Sequence, residues 1–245
     1  MGHLIKEVTV ATPFFNEELG IDNFFKIFNK INKLLKSLGV KGRYLFINDG
    51  STDKTLVLLK NFKSKYKNLN IKIINHHKNY GYGRTLRTSL SSCDTKYMIT
   101  YDSDCTYDYN LIKNLIKNTS EKTDIINVSY KLSKKKEHLT LFRKLLSWGS
   151  SIIYLFFFYQ LRKSRITVFT CSFRIYNVEK IKDIKIYSND FNACGEIIIK
   201  SVLNNLNIKE IPGKNLGRKY GYSKMKILRN IVNTLRTIIL IKLNY

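Results

Sequence analysis

The chain has 245 residues, 44% of them hydrophobic, enough for a sizeable core in one large α/β domain or two small ones. Its 43 Lys+Arg against 18 Asp+Glu give a formal net charge of +25, far more than solubility requires. That excess points to nucleic acid, an anionic membrane surface or phosphorylated substrates, with a general Lys, Asn and Ile bias as the plain alternative. Cys93, Cys105, Cys171 and Cys194 show no C-x-x-C spacing and no pairing with His3, His76, His77 or His138, which argues against a zinc module and fits free thiols in a reducing compartment.

In chain order, Glu7–Ala11 reads as a first strand closed by Pro13. Leu19–Leu38 carries apolar residues at helical spacing, from Ile21, Phe24 and Phe25 to Leu34 and Leu35. Tyr44–Asn48 is a second strand, and Ser51 or Thr52 is expected to cap a helix running to Tyr66. Ile71–Asn75 is a third strand, Tyr82–Ser91 a short helix, Tyr97–Tyr101 a fourth strand, Leu111–Thr119 a helix and Asp124–Tyr130 a fifth strand. Lysines 131, 134, 135 and 136 mark a basic loop reaching His138. Leu139–Leu161 is a very apolar helix, read either as core or as interfacial, with Arg162, Lys163 and Arg165 directly after it. Its run Ile152–Tyr159 is the longest apolar run and is too short to span a bilayer. Residues 213–245 hold eight Lys/Arg and no acid, and the helix Lys226–Lys242 could lie along an anionic surface.

Strands alternating with helices predict a mostly parallel sheet flanked by helices, with ligands beyond the carboxyl ends of the strands. Polar clusters fall there at 13–18, 49–53 and 102–108. The most informative is Asp102-Ser103-Asp104. Two carboxylates two residues apart at a strand end can share a face and call for a cation between them. Oxygen-only ligands favour Mg²⁺ or Mn²⁺.

The order of motifs resembles family 2 glycosyltransferases of the GT-A fold, and within them the dolichol-phosphate mannose synthase-like polyprenyl-phosphate glycosyltransferases. Pro13-Phe14-Phe15-Asn16-Glu17 matches P-x-x-N-E, and Asn48-Asp49-Gly50-Ser51-Thr52-Asp53-Lys54-Thr55 matches D-D-G-S-x-D-x-T with Asn48 for the first Asp. Asn79-Tyr80-Gly81-Tyr82-Gly83 matches N-x-G-x-G, and Asp102–Asp104 is the D-x-D. Arg143 to Ser147 matches an R-x-x-x-S motif, Thr170–Arg174 stands where the family often has T-S-G-F-R, and Arg218–Lys224 resembles R-x-x-G-x-S-K. The resemblance implies a GT-A domain over 1–225 with a basic helix over 226–245.

By the same resemblance, Asp102, Asp104 and Arg218 are the catalytic candidates. Asp102, Asp104 and Thr106 are the metal-ligand candidates, Thr106 standing where relatives often carry Gln. Pro13, Phe15, Asn16, Glu17, Asp49, Ser51, Asn79, Gly81, Gly83, Asp102 and Ser103 are expected to bind the donor, Asp49 at the base and Glu17 near the ribose. Arg143, Ser147, Arg174, Arg218 and Lys224 are expected at the acceptor phosphate. The implied reaction is metal-dependent and inverting, from GDP-mannose or a UDP-hexose to a polyprenyl phosphate. The expected setting is cytoplasmic and peripheral on an anionic membrane, with room for a membrane-protein partner. A saccharide hydroxyl acceptor, with Asp190 or Glu196 as base, remains open. So does a catalytically dead scaffold, given Asn48 and Thr106. A nucleic-acid module is disfavoured by the lack of any helix-turn-helix, zinc or RNP-type motif.

Overall fold

The structure, a computed structural model, describes residues 5–133, 141–218, 220 and 227–244; for 141–147 and 227–231 it describes the backbone only. Lys134, Lys135, Lys136, His138 and Lys224 therefore lie outside the described residues, as do the side chains of Arg143 and Ser147.

Seven strands form one sheet in the order β3-β2-β1-β4-β6-β5-β7. They are β1 (Glu7–Phe14), β2 (Lys41–Asn48), β3 (Asn70–Asn75), β4 (Tyr97–Thr100), β5 (Ile125–Ser129), β6 (Arg174–Asn177) and β7 (Ile208–Pro212). Pairing is parallel between β1 and β2, β1 and β4, β2 and β3, and β5 and β7. Among the described strands only β6 runs against its neighbours, antiparallel to both β4 and β5. The mostly parallel α/β sheet expected from the alternation is present, and the chain reverses direction across the sheet on either side of β1. At such a switch point the crevice beyond the strand ends is open to a ligand.

The helices are α1 (Ile21–Ser37), α2 (Thr55–Lys65), α3 (Tyr82–Ser91), α4 (Leu111–Asn118), α5 (Leu141–Phe157), α6 (Gln160–Lys163), α7 (Val178–Ile181), α8 (Ala193–Leu203) and α9 (Ile227–Asn244). Two apolar cores cover the two faces of the sheet. On one, α1 buries Ile21, Phe24, Phe28, Ile31 and Leu35, alternating three and four residues apart. Phe28 sits in an aromatic cluster, its ring 4.5 Å from Tyr44, 5.7 Å from Phe46 and 5.2 Å from Phe62.

The other core is built around α8, which is buried continuously from Ala193 to Ser201. Glu196 and Lys200 are enclosed within it on all sides. Its charges are matched internally: Lys200 Nζ donates to Glu196 Oε1 at 2.7 Å and to the Lys185 carbonyl at 2.6 Å.

The structure departs from the sequence reading in several details. The helix after β2 starts at Thr55, where the Thr55 N–H donates to Asp53 Oδ1 at 2.9 Å, so neither Ser51 nor Thr52 caps it. The apolar helix expected over Leu139–Leu161 is divided into α5 and α6. In the final helix, α9, Thr234, Thr237, Ile238 and Ile241 are buried against the body of the protein. Strands β6 and β7 were not foreseen, because four and five residues without clear alternation carry no periodic signal.

Truncating Phe28 to Ala should remove about 3–5 kcal/mol of stability, since its neighbours are rings that cannot collapse into the space. Urea unfolding followed by circular dichroism measures it, and a loss under about 1 kcal/mol would contradict this packing.

Candidate functional site

The loop after β1 and the loop after β2 are bonded to each other residue by residue. The Asn16 N–H donates to Ser51 Oγ at 2.9 Å, and the Thr52 N–H donates to Asn16 Oδ1 at 2.8 Å. The Glu17 N–H donates to Thr55 Oγ1 at 2.8 Å, the Glu18 N–H to Asp53 Oδ2 at 3.1 Å, and the Lys54 N–H to Glu18 Oε2 at 3.0 Å. Asn16 takes a φ of 52°, a conformation Asn tolerates better than most residues. Asn16 and Ser51, expected at the donor, thus spend these groups on joining the two loops. Pro13 and Phe15 flank the same junction and are half-buried.

Asp49 differs more clearly from expectation. It is 3% exposed, and its carboxylate accepts the N–H groups of Tyr80 (3.1 Å) and Gly81 (2.7 Å). Its Oδ1 also lies 2.7 Å from His76 Nδ1, and His76 Nε2 lies 2.9 Å from Thr88 Oγ1. Asp49 therefore fixes the turn Asn79–Gly81, and its carboxylate is committed there rather than turned toward a base edge. His76, which the sequence reading did not single out, is the other half of this anchor. Gly81 has φ +92°, and a Cβ there would meet the Asn189 carbonyl oxygen at 2.3 Å; at Gly83 a Cβ would meet that of Ser188 at 2.0 Å. The two glycines of this motif are thus required by the 188–190 loop, whose Asn189 carbonyl accepts the Gly83 N–H at 2.8 Å. Asn79 itself is exposed.

The D-x-D lies past the end of β4, in a turn rather than on the strand. The Cys105 N–H donates to the Asp102 carbonyl at 3.1 Å, and Cys105 has φ 54°. The two carboxylates still face one locality. The Ser172 hydroxyl donates to Asp102 Oδ2, and the Thr106 N–H donates to Asp104 Oδ1 at 3.2 Å. Burial, and after it the charge of Asp104, push the Asp102 carboxyl up to about 7. Ser172 and Arg218 act in the opposite direction, and Glu17 adds to the rise. Ser103 and Thr106 are both buried, at 8% exposure each.

Arg218 reaches this cluster from the far end of the chain. The Leu216 N–H donates to the Thr106 carbonyl at 2.7 Å, and Tyr107 and Asn215 form an antiparallel bridge. These bonds lay the segment after β7 across the D-x-D turn. Arg218 then donates through Nη2 to Glu17 Oε1, with its Nε 3.5 Å from Asp104 Oδ2. Glu17, Asp102, Asp104 and Arg218 are thus gathered from β1, β4 and the chain beyond β7.

Two further expectations are corrected. Arg174 does not face an acceptor: it is 0% exposed, and it donates to Asn127 Oδ1 at 2.8 Å and to the carbonyls of Cys194 and Phe169 at 2.7 Å each. It is a structural cation inside the sheet. Glu196 cannot act as a base for an acceptor. It is 1% exposed and accepts the N–H groups of Tyr187 and Ser188 at 2.8 Å each, besides Lys200. Asp190 is half-buried beside Gly81; its carboxylate accepts from the Asn192 N–H at 3.0 Å and from the Asn233 amide.

A family model described as "Glycosyl transferase family 2" matches residues 9–185. The chain belongs to that family. Among curated relatives, an uncharacterized glycosyltransferase of Synechocystis sp. is 31% identical over 120 residues, 49% of this chain and 36% of that protein. The processive diacylglycerol beta-glycosyltransferase of Mycoplasma genitalium is 26% identical over 118 residues, 48% of this chain and 33% of that protein. An uncharacterized protein of Methanocaldococcus jannaschii is 25% identical over 226 residues, 89% of this chain and 85% of that protein. The matches to the first two cover only 36% and 33% of their length.

The architecture is that of solved GT-A proteins. Glucosyl-3-phosphoglycerate synthase from Mycobacterium tuberculosis, in complex with Mn²⁺ and UDP-glucose, superposes with a TM-score of 0.67 at 14% identity, covering 95% of this chain and 79% of that one. A mannosyltransferase from Pyrobaculum calidifontis with GDP-Man and Mn²⁺ superposes at 0.63 and 15% identity, covering 88% and 58%. At these identities the likeness is one of fold.

Replacing Arg174 with Met should cost about 3–5 kcal/mol by orphaning its buried acceptors. Chemical denaturation measures this; an unchanged stability with a weakened acceptor affinity would return Arg174 to the site. A second expectation concerns Asp102. Its carboxyl titrates at 3.8 when free and at about 7 in the folded, metal-free protein, so between those values the native state holds a proton that the unfolded state has lost. Stability contributed by this group therefore falls as pH rises through that window. Asp102→Asn should gain on the wild type from about pH 4 to about pH 7 and hold a constant lead above. Thermal melts in chelator across that range test it, and a pH-independent difference would refute the raised carboxyl.

Proposed function

We propose that the protein is an inverting, metal-dependent glycosyltransferase that moves a sugar from a nucleotide-diphosphate sugar to a polyprenyl phosphate at the cytoplasmic face of a membrane. The observation that carries the reading is the convergence of Glu17, Asp102, Asp104 and Arg218 at the carboxyl ends of β1 and β4. No group of three or more His, Cys, Asp or Glu able to hold a metal exists among the described residues. Two neighbouring carboxylates, one of them raised first by burial and then by the charge of the other, nonetheless fit a hard divalent cation that takes its remaining ligands from a diphosphate. Asp102 and Asp104 would hold Mg²⁺ or Mn²⁺, with Thr106 beside them. When bound, the ion supplies positive charge to the leaving diphosphate.

The rest falls to the protein's own groups. Arg218 exchanges its contact with Asp104 for the diphosphate oxygens, keeping Glu17 as its anchor, and presents a planar fork to them. The turn Asn79–Gly83, its Tyr80 and Gly81 N–H groups held by Asp49 and its Gly83 N–H by the Asn189 carbonyl, forms a tight floor next to the donor. The acceptor phosphate oxygen forms its bond to the anomeric carbon as the bond to the nucleotide diphosphate breaks on the opposite side. The leaving group departs with the electron pair. A phosphate is already an anion, so no proton is removed and no base is required. That suits a site whose buried Glu196 is locked inside α8.

A hydroxyl acceptor is the second reading, favoured by the position of Asp190 beside Gly81 and by the diacylglycerol substrate class in the name of the Mycoplasma relative. The two differ in their need for Asp190.

Purified protein is incubated with Mn²⁺ or Mg²⁺, a short polyprenyl phosphate and labelled nucleotide sugars, and label in the organic phase is counted. Label dependent on the metal is expected, falling at least 10²-fold in Asp104→Ala and less than about tenfold in Asp190→Asn. Transfer to a saccharide or glyceride hydroxyl, abolished by Asp190→Asn, would establish the second reading instead. Donor that is neither transferred nor hydrolysed under any acceptor would mark a dead scaffold.

A further inference from the structure

Helices α5 and α9 each bury one face and present a second apolar face outward. In α5, Ser151, Tyr154 and Phe158 just beyond it are buried, while Trp148, Ile152 and Phe156 are 57%, 46% and 72% exposed. Their spacing of four places them in one stripe. In α9, Thr234, Thr237, Ile238 and Ile241 turn inward, while Val232, Leu235, Ile239 and Leu243 are 66%, 47%, 58% and 76% exposed. The helices lie against each other, and Lys242 Nζ of α9 sits 5.3 Å from the centroid of the Phe157 ring at the end of α5. Tyr159, 64% exposed, extends them toward α6. Two stripes of large exposed apolar side chains on adjoining helices mark an interaction surface.

The charged side chains that these helices themselves carry are all cationic. Arg162, Lys163 and Arg165 are exposed directly after α5, and Arg236 and Lys242 are exposed on α9; α5, α6 and α9 contain no acidic residue. The occupant must therefore accept aromatic and aliphatic side chains and also neutralise these cations. A second copy of this chain would bring the same cations and be repelled. An anionic bilayer supplies both, taking the stripe between its headgroups and the cations at its phosphates.

We propose that the α5–α9 face seats on an anionic lipid surface. The choice of occupant rests on the lipid-phosphate reading above, which it deepens by fixing the side of the molecule that meets the membrane. The seat adjoins the site. Thr237 Oγ1 lies 2.9 Å from Ser188 Oγ, the Thr234 hydroxyl donates to Asn192 Oδ1 at 2.8 Å, and the Asn233 amide donates to Asp190. The loop so held is the one whose Asn189 carbonyl receives the Gly83 N–H. A single hydrogen-bonded loop thus separates the lipid-facing helix from the N-x-G-x-G turn.

Trp148 is the sole tryptophan of the chain and lies on the stripe, so its fluorescence reports the seat directly. The full-length protein, without donor or acceptor, is titrated with vesicles of phosphatidylcholine alone and of phosphatidylcholine with phosphatidylglycerol. A blue shift confined to the anionic vesicles, and quenching by lipids brominated on their acyl chains, are expected. Phe156→Ser and the pair Leu235→Ser/Ile239→Ser should each weaken vesicle affinity about tenfold or more with unchanged melting temperature, since these side chains leave the core untouched. Arg162→Ala/Lys163→Ala should weaken it mainly at low salt. Unshifted emission with anionic vesicles, or co-sedimentation without acyl quenching, would overturn the proposal. So would a blue shift that grows with protein concentration in the absence of lipid, which would assign the face to self-association. Docking with no sugar transfer to polyprenyl phosphate would sink the acceptor reading alone, and transfer by variants that no longer dock would sink this one alone.

Discussion

Repulsion among three carboxylates is the constraint around which this molecule is arranged. Glu17, Asp102 and Asp104 come from two adjacent parallel strands whose carboxyl ends meet at one point. Left to themselves they would separate or hold a proton, as Asp102 does, raised first by its burial and then by the charge of Asp104. Arg218 opposes that, bridging Glu17 and Asp104 from a segment more than a hundred residues later. The segment is in place only because Leu216 and Asn215 pair with Thr106 and Tyr107. The final third of the chain is thereby tied to the first, and the site exists only in the folded protein. In the proposed reaction a bound cation takes over part of that neutralising role, and Arg218 leaves Asp104 while Glu17 keeps it anchored.

Much of what surrounds this cluster is scaffolding made from motif residues. The Asn16–Glu18 and Ser51–Thr55 loops satisfy each other's backbone and side-chain groups, which two exposed loops could otherwise do only with water. Asp49 and His76 hold the next turn, and Glu196 with Lys200 holds the 187–188 backbone from below. A buried ion pair is a weak source of stability but a demanding one for geometry, because breaking either partner strands the other. Rigid loops positioned by a buried carboxylate are what a donor site needs if the reacting atoms are to be placed closely.

The reversed strand β6 explains the most misleading residue. Read in sequence, Arg174 ends a motif associated with the acceptor. In the fold its backbone belongs to a strand between β4 and β5, so its side chain is directed into the second core, where three acceptors await it. Ser172, two residues earlier, lies at the edge of the strand and reaches Asp102. The same short stretch thus feeds both the interior and the site.

The sequence by itself determined the local pieces. Apolar spacing located α1, α3 and α4 and strands β1 to β5 to within a few residues, because burial against a sheet imposes a period on the chain. The order of short motifs, with Asp102 and Asp104 at its centre, was enough to identify the family, since so many short motifs rarely fall in that order by chance. Tertiary structure alone decided which of those residues face outward. Pairing of β6 against its neighbours turned Arg174 inward, Asp49 was taken by His76 and two backbone amides, and the bridge at Asn215 delivered Arg218 to Glu17. Hydrogen bonds between residues far apart in the chain made each choice, and such bonds leave no periodic trace in the sequence.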